Sequence, residues 1–255
     1  MRARRAGLGL PELLGRRHAR QPAYGSGVNL HYSRDELLAQ VRRWVDAGFT
    51  AVKVKVGRPP DEDLARLRAV RDLLGPDRRL MVDANQRWDV DRAVRAASDF
   101  AEVGVEWLEE PVLADDLAAH RELRTRTAVR IAVGENLHTL HRFREVLDGG
   151  LADVVQPNVV RVGGITPFLR IAALAHRYDV EVAPHLLPEL SAQLAFAMPG
   201  TTWVEDVEDA GFGELGALVA PSGVRIRNGW AEGGPALGLG LRFRADGTGG
   251  GRDGH

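Results

Sequence analysis

Short apolar runs alternate along the chain with longer stretches in which apolar residues recur every three or four positions. The short runs have the length and β-branched content of buried strands, and the longer stretches have the period of amphipathic helices. A strand followed by a helix, repeated many times, predicts a parallel sheet because each helix returns the chain to the same edge. The predicted strands cover 51–56, 80–83, 106–109, 131–134, 153–156, 181–184 and 202–205, with an earlier one near Tyr24.

The helices between these strands have recognisable ends. The segment Ser-Arg-Asp-Glu at 33–36 is a capping box that begins one helix, and Gly48 marks its end. A second helix extends from near Asp61 to the Leu-Gly-Pro at 74–76, and a third covers about 90–103. Eight strands are the number that closes a (β/α) barrel. A doubly wound open sheet shares the same alternation and is the main alternative.

Composition excludes several classes of function. The chain has 255 residues, a net charge of −1 and no cysteine, so disulfides and thiolate chemistry are excluded and no nucleic-acid partner is expected. Any metal site must use carboxylates, histidines or carbonyls. No apolar stretch approaches the roughly 20 residues that cross a bilayer, so no membrane partner is expected and we predict a cytoplasmic protein.

Lysine occurs at only two positions. Of the 34 basic residues, 32 are arginine, and the two lysines are Lys53 and Lys55, in one predicted strand. A chance remnant of an arginine-rich composition would rarely leave its two lysines so close together. Arginine keeps its proton in proteins, whereas the pKa of a buried lysine can fall far enough for it to act as a base. The pair therefore indicates a place where arginine cannot replace lysine.

Acidic residues end three successive predicted strands at a constant spacing. Asp83 and Glu109 are 26 residues apart, and Glu109 and Glu135 are again 26 residues apart. Because one βα unit separates each pair, the three carboxylates should be neighbours around the mouth of a barrel, on the same side as Lys53 and Lys55. A single acidic residue at such a position is more often a helix cap, but three in register favour a shared role.

Three carboxylates in a buried ring repel one another unless a cation neutralises them. Oxygen ligands that leave room for water and substrate favour Mg²⁺, with Mn²⁺ as a substitute. Two further polar residues, His185 and Glu205, end the last two predicted strands. Each alone is typical of a hydrogen-bonded rim residue. In a closed barrel, however, strands seven and eight face strands two and three, so His185 and Lys55 would flank a bound substrate from opposite sides.

Together these residues resemble the enolase superfamily, and specifically its mandelate racemase subgroup, over roughly 21–242. The resemblance implies a TIM-type (β/α)7β barrel of the α/β class that lacks most of the α+β capping domain of its relatives. The segments that carry it are AVKVK at 51–55, VDAN at 82–85, EEP at 109–111, GEN at 134–136 and VGGI at 162–165, followed by the pair His185 and Glu205.

The resemblance implies which residues hold the metal and move the proton. Asp83, Glu109 and Glu135 would be the Mg²⁺ ligands. Lys55 would take the proton α to a substrate carboxylate, which Lys53 would help to hold. The metal and Lys53 would then stabilise an enediolate where its negative charge develops.

The resemblance also implies roles on the opposite face. His185 would be the second base of a racemase or the acid that expels a β-hydroxyl in a dehydratase. Glu205 would hydrogen-bond the enediolate, while Asn85 and Ser26 would contact the substrate. The family usually has an aspartate behind the histidine, whereas this chain has Asn158, which we expect to orient the ring through its carbonyl oxygen. An amide cannot stabilise an imidazolium by charge, so His185 is expected to be a weak base.

The same resemblance predicts how the chain is divided. We expect 1–22 to be a remnant of the capping domain, 23–206 the barrel, 207–244 a segment that packs back on the barrel or cap, and 245–255 a disordered tail. A start codon placed too far downstream and a real truncation both explain so short a lead-in, and the codons upstream of Met1 separate the two. A barrel without its lid would leave the site wet.

Within this subgroup, the resemblance together with Asn158 favours dehydration of an acid sugar, an aldonate or aldarate, to a 2-keto-3-deoxy acid by a hydro-lyase. A 2-hydroxy acid racemase or epimerase is the alternative within the subgroup. A non-catalytic barrel fragment is the alternative of another class. The absence of a lysine at 156–158 argues against the muconate cycloisomerase and dipeptide epimerase branch. The expected partners are a small carboxylate substrate and further copies of the chain in a homo-oligomer.

Overall fold

Eight parallel strands close into a barrel in the computed structural model, which describes residues 1–234 and 236–244. The strands are β1 (Arg20–Ser26), β2 (Ala51–Lys55), β3 (Arg79–Asp83), β4 (Val105–Glu109), β5 (Ile131–Val133), β6 (Val154–Val155), β7 (Glu181–Val182) and β8 (Val204–Val207). Strands β1 to β7 pair in chain order, and β8 pairs with β1. At the seam between β7 and β8, the backbone N–H of Leu186 donates to the Glu205 carboxylate at 2.9 Å.

One helix follows each of the first seven strands and covers the outside of the barrel. Two short helices, α1 (Arg2–Arg5) and α2 (Leu10–Leu13), precede β1. The connecting helices are α3 (Arg34–Asp46), α4 (Pro60–Leu74), α5 (Val90–Glu102), α6 (Leu117–Arg126), α7 (Leu140–Asp148), α8 (Ile165–Arg177) and α9 (Pro188–Ala195). The predicted (β/α)7β order is confirmed. The alternative of an open sheet is wrong, because β8 returns to pair with β1.

Side-chain caps begin four of the connecting helices. The predicted capping box is confirmed: the Ser33 hydroxyl accepts the N–H of Glu36, and the Glu36 carboxylate accepts the N–H of Ser33. Asp89, Asp116 and Thr139 each accept a backbone N–H from the first turn of α5, α6 and α7, respectively. Each cap satisfies an N–H that the helix itself cannot and contributes about 1 kcal/mol. These four caps therefore set where the loops before α3, α5, α6 and α7 end.

The inside of the barrel holds its own apolar cluster, with about one residue from each strand. Its members are Tyr24, Ala51, Met81, Trp107, Ala132, Val154 and Ala183, with Trp203 packed against them. Above this cluster, toward the carboxyl ends of the strands, the inward side chains become polar. Side chains alternate along a strand, so the residues between these inward ones, such as Val52 and Val54, belong to the larger core beneath the helices. The apolar cluster therefore lies directly below the polar residues at the mouth of the barrel.

A hairpin after the barrel packs at its amino-terminal end. Strands β9 (Val224–Arg227) and β10 (Trp230–Gly233) pair with each other, and β10 continues antiparallel to β1. The division of the chain at 22–23 and 206–207 stays a prediction, and the predicted tail at 245–255 lies outside the described residues. Among the described helices, none combines the length and apolar character needed to cross a membrane.

Candidate active site

Three carboxylates converge at the carboxyl ends of β3, β4 and β5. We call Asp83, Glu109 and Glu135 the acidic trio. One carboxylate oxygen from each lies within 4.8 Å of the other two, and all three residues are buried. Asp83 and Glu109 are opposite each other in the β3–β4 ladder, which puts their side chains on the same face. The constant spacing in the sequence therefore corresponds to adjacent strand ends, as the barrel interpretation requires.

Gly134 makes room for the third carboxylate. Its φ is +149°, and a Cβ added there would lie 2.5 Å from the backbone nitrogen of Gln156. Any other residue would collide with the segment that ends β6, so the close approach requires glycine. This approach places Glu135, one residue further on, beside the other two members of the trio.

Lys53 is buried between two carboxylates. Its Nζ lies 2.7 Å from Glu109 Oε2 and 2.7 Å from Glu205 Oε1, and the side chain is 1% exposed. Burial disfavours the ammonium, but Glu109 and Glu205 outweigh it and hold the pKa of Lys53 well above its ordinary value. Burial also opposes ionisation of Glu205, yet Lys53 lowers the pKa of that carboxyl to about 2. Lys53 is therefore a fixed cation and Glu205 a fixed anion.

Lys55 is two residues after Lys53, closer to the mouth of the barrel, and its side chain is partly exposed. Its Nζ pairs with the Asp83 carboxylate, and its side chain is 17% exposed. Asn29, which is fully buried in the loop after β1, accepts the backbone N–H of Lys55 at 2.8 Å. The Asn29 amide in turn donates to Gln40 on α3 at 2.9 Å. Lys55 thus combines a held backbone with an amine that reaches the mouth.

The three carboxylates of the acidic trio are not readily ionised together without a cation. Burial raises the pKa of Glu109 to about 8, and the neighbouring Asp83 adds to the effect. Glu109 Oε1 is buried and has no hydrogen-bond partner among the described residues. An all-oxygen donor set with an unpaired buried oxygen fits a hard divalent cation such as Mg²⁺. The residues of the trio therefore fit the metal that their sequence pattern predicts.

His185 approaches the trio from the opposite side of the mouth. Its Nε2 lies 2.5 Å from Glu135 Oε2. Burial opposes ionisation of Glu135, but His185 outweighs it and lowers the pKa of the carboxyl to about 2. The other ring nitrogen, Nδ1, lies 3.1 Å from Asn158 Nδ2. The expectation that Asn158 orients the ring through its carbonyl oxygen is wrong, because that oxygen accepts the backbone N–H groups of Val160 and Arg161.

The two expected substrate contacts differ in their exposure. Asn85 is exposed at the mouth, and its amide donates to Glu135 Oε1 at 3.3 Å. Ser26 is 2% exposed and lies beside Lys53 in the β1–β2 ladder. Both residues are at the carboxyl ends of the strands, on the same side of the barrel as the acidic trio. Their contact with a substrate stays a prediction.

Sequence reasoning missed several residues that hold the site together. Gln156 donates to Glu109 Oε2 at 2.8 Å, and Arg161 donates to the backbone oxygen of Glu135 at 2.9 Å. Asn136 and Glu110 form a further pair at 2.7 Å beside the trio. Gln156 could have been found as the polar residue that follows the apolar pair at 154–155. Asn29 had no such signal, because its partners come from β2 and α3.

The acidic trio and the lysine pair lie at the carboxyl ends of the strands of a closed (β/α) barrel. This combination defines the class of metal-binding barrels of the enolase type. The chain belongs to the enolase C-terminal domain-like family, whose model matches residues 36–247. The resemblance inferred from the sequence is thereby confirmed.

Characterised relatives share this barrel. L-talarate/galactarate dehydratase of Salmonella typhimurium is 40% identical over 210 residues, which are 82% of this chain and 53% of the relative. The 3,6-anhydro-α-L-galactonate cycloisomerase of Streptomyces coelicolor is 37% identical over 204 residues, 80% of this chain and 56% of the relative. The chain thus spans about half the length of the curated relatives it matches.

Solved structures agree with the fold. L-talarate dehydratase from Polaromonas sp. JS666, complexed with Mg and L-glucarate, has a TM-score of 0.86 and 37% identity, covering 96% of this chain and 67% of that one. A racemase from Streptomyces coelicolor with bound magnesium has a TM-score of 0.88 and 33% identity, covering 95% and 66%. At these identities the likeness extends beyond the architecture to the family.

Proposed function

We propose that this protein is a Mg²⁺-dependent acid-sugar dehydratase that removes the proton α to a carboxylate and then expels a β-hydroxyl. The observation that carries the proposal is the convergence of the acidic trio between Lys55 on one side and His185 on the other. The names of two relatives support the substrate class: one is L-talarate/galactarate dehydratase, and another, 33% identical over 184 residues, is L-galactonate dehydratase of Hypocrea jecorina.

In this proposal the acidic trio holds the metal. When bound, Mg²⁺ supplies Lewis-acid stabilisation of the negative charge that develops on the substrate carboxylate. Lys53 adds a second positive charge at a fixed position, because its carboxylate partners keep it protonated. Glu205 lies 2.7 Å from Lys53, so we propose that it holds this ammonium in place beside the intermediate. Its hydrogen bond to the enediolate stays a prediction.

Lys55 is the proposed base. It is the lysine whose amine reaches the partly exposed mouth, whereas Lys53 is enclosed by anions. Lys55 Nζ takes the α-proton, the electron pair of that C–H bond forms a double bond to the β-carbon, and the C–O bond there breaks to release hydroxide beside His185. The resulting enol gains a proton at the β-carbon and loses its hydroxyl proton to give the 2-keto-3-deoxy acid. The proton on Lys55 and the released hydroxide together account for one water. Asn85 and Ser26 are proposed to contact the hydroxyl groups of the substrate.

A racemase is the second candidate, because polar groups flank the trio from two sides and one structural relative is described as a racemase. The test is to incubate the protein with Mg²⁺ in D₂O with galactarate, L-talarate, L-glucarate or L-galactonate. A 2-keto product, trapped with semicarbazide, is the expected result. Recovered substrate with inverted configuration and deuterium at the α-carbon, without a 2-keto product, would replace dehydration by racemisation. Lys55→Arg serves as the inactive control.

The predicted homo-oligomer and cytoplasmic location remain predictions. Light scattering of the purified protein would test the oligomer, and a monomer at micromolar concentration would contradict it. Fractionation of cells that express the native gene would test the location.

A further inference from the structure

The Asn158 side chain makes four polar contacts, and together they fix the orientation of its amide. Its oxygen accepts the N–H of Val160 at 3.0 Å and the N–H of Arg161 at 3.1 Å. Its nitrogen lies 3.1 Å from His185 Nδ1 and donates to the His185 carbonyl at 3.4 Å. Reversing the amide would set an NH₂ group against two backbone N–H groups. Because Asn158 is only 5% exposed, water could not relieve those contacts.

A donor facing Nδ1 decides which tautomer of the neutral ring is present. An amide N–H can only donate, so Nδ1 must offer its lone pair, and the proton of the neutral ring is then on Nε2. Nε2 is the nitrogen that points toward the acidic trio. Asn158 therefore determines the tautomer through its contact with Nδ1, and the backbone N–H groups of Val160 and Arg161 hold Asn158 in that orientation.

We infer that Asn158 is a positioning residue that holds His185 with an N–H at Nε2, so that this face of the site presents a hydrogen-bond donor and lacks a base. The inference rests on the proposed function and deepens it. A racemase needs a proton acceptor on each face of the α-carbon, whereas a dehydratase needs one acceptor and a donor beside the leaving hydroxyl. With Lys55 as the one acceptor, Asn158 restricts the site to elimination.

Asn158→Asp is the matched variant. A carboxylate has the same shape, and one of its oxygens can still accept the N–H groups of Val160 and Arg161. The other oxygen would then face Nδ1 as an acceptor, which places a proton on Nδ1 and leaves Nε2 free to give up its own proton and act as a base. Asn228→Asp in the turn between β9 and β10 is the control, since it adds the same charge at an exposed position outside the site.

The first measurement does not depend on activity. Long-range ¹H–¹⁵N spectra of metal-free protein labelled with ¹⁵N-histidine separate the two neutral tautomers, and a His185→Gln spectrum assigns the signal. We expect a proton on Nε2 and none on Nδ1 in the wild type and in Asn228→Asp, and a proton on Nδ1 in Asn158→Asp. A proton on Nδ1 in the wild type overturns the inference, whether or not the protein turns over any sugar acid.

The second measurement follows the α-proton in D₂O with Mg²⁺ and galactarate. We expect no inverted, deuterated substrate from the wild type or Asn228→Asp. In Asn158→Asp we expect the rate at which inverted, deuterated substrate forms to increase by about 10²- to 10⁴-fold, which is the usual contribution of a positioned base. Equal inversion by wild type and Asn158→Asp overturns the inference. If no variant consumes a sugar acid, the proposed function fails, and the spectra alone decide the tautomer.

Discussion

Two lysines on one strand have different surroundings because they lie at different heights in the barrel. Lys53 is level with Glu109 and Glu205 and is enclosed by them. Lys55 is two residues closer to the mouth, where Asp83 is its one ion-pair partner among the described residues and water reaches its amine. A residue whose pKa is held high stabilises charge, and a residue with a free approach to substrate can exchange a proton.

Replacing Lys55 by arginine separates charge from basicity. Arginine keeps the positive charge beside Asp83 but cannot give up its proton at any working pH. We expect kcat for the sugar acid to fall by at least about 10²-fold while the affinity for Mg²⁺ is unchanged. Steady-state kinetics and calorimetry measure the two quantities, and the exposed Arg34→Lys is the control. A variant that retains most of its turnover would remove Lys55 from the role of base.

Glu135→Gln tests the acidic trio without changing its size. The amide keeps one oxygen but removes the negative charge, and hard divalent ions depend on that charge. We expect the dissociation constant for Mg²⁺, measured by calorimetry, to rise by at least about tenfold, since even outer partners of metal ligands contribute that much. The control is Glu122→Gln, which alters an exposed ion pair with Arg126 and should leave the dissociation constant for Mg²⁺ unchanged. An unaltered constant in Glu135→Gln would mean that this carboxylate is not a ligand.

At the scale of elements, the contact between β1 and α3 leaves no space for a side chain on the strand. A Cβ added to Gly25 would lie 2.6 Å from Cγ of Trp44, which is 5% exposed. We expect Gly25→Ala to lower the free energy of unfolding by about 1–3 kcal/mol, the usual cost of overpacking. Urea unfolding measures the change. Gly213→Ala is the control, because no atom of the described residues lies within 4 Å of an added Cβ. Equal stability of the two variants would show that Trp44 moves aside freely.

The end of β8 carries an acidic residue that faces other acids. Burial raises the pKa of Asp206 to about 7, and Glu214 and then Glu189 add to the effect. The folded protein therefore binds more protons than the unfolded chain between about pH 4 and pH 7, so this group lowers stability as the pH rises through that window. Above about pH 7 the full penalty applies.

Asp206→Asn removes that penalty. We expect the variant to be more stable than the wild type by about 1–3 kcal/mol at pH 8, allowing for partial exposure, and equally stable near pH 4. Urea unfolding at the two pH values provides the comparison, which cancels the contributions of other titrating groups. Asp209→Asn, at an exposed turn residue with a φ of +63°, should show no such pH dependence. A difference at pH 4 as large as at pH 8 would contradict the assignment.

The elements that the sequence predicted well are those with local signals. The start of α3 follows from the capping box at Ser33, and the end of α4 follows from Gly75, whose φ is +72°. The last strands were predicted less accurately: 181–184 is a strand only at Glu181–Val182, and 202–205 is displaced to Val204–Val207. Pro184 has no N–H to continue a ladder, and the position of β8 depends on β1, which is far away in the sequence.

The candidate site shows the same division. Strand ends at a constant spacing predicted the acidic trio, because every βα unit brings its carboxyl end to the same mouth. The amide orientation of Asn158 could not be predicted, since it depends on two N–H groups that the following turn presents at Val160 and Arg161. A role that depends on which atom of a side chain faces its neighbour, as for Asn158, can therefore be assigned only from the folded structure.

At the scale of the whole molecule, one polar layer ties alternate strands together across the barrel. Lys53 on β2 binds Glu109 on β4 and Glu205 on β8, and Gln156 after β6 also binds Glu109. Layers drawn from alternate strands are the usual way in which such barrels are filled. Here the top layer is charged, and Glu109 belongs both to this layer and to the acidic trio with Asp83 and Glu135. Full ionisation of Glu109, whose pKa is about 8, is therefore unfavourable in this layer unless a cation is present.

Mg²⁺ should consequently stabilise the entire barrel. A ligand that binds the folded chain raises the free energy of unfolding by RT ln(1 + [L]/Kd), about 2.7 kcal/mol at a hundred times the dissociation constant. We expect urea unfolding to show this increase in the wild type and in Lys55→Arg, because both retain the acidic trio, but much less of it in Glu135→Gln. The same ionic strength supplied as NaCl controls for screening of the surface charges. If NaCl stabilised the wild type as much as MgCl₂ does, the trio would be responding to ionic strength and would not be a site for a divalent cation.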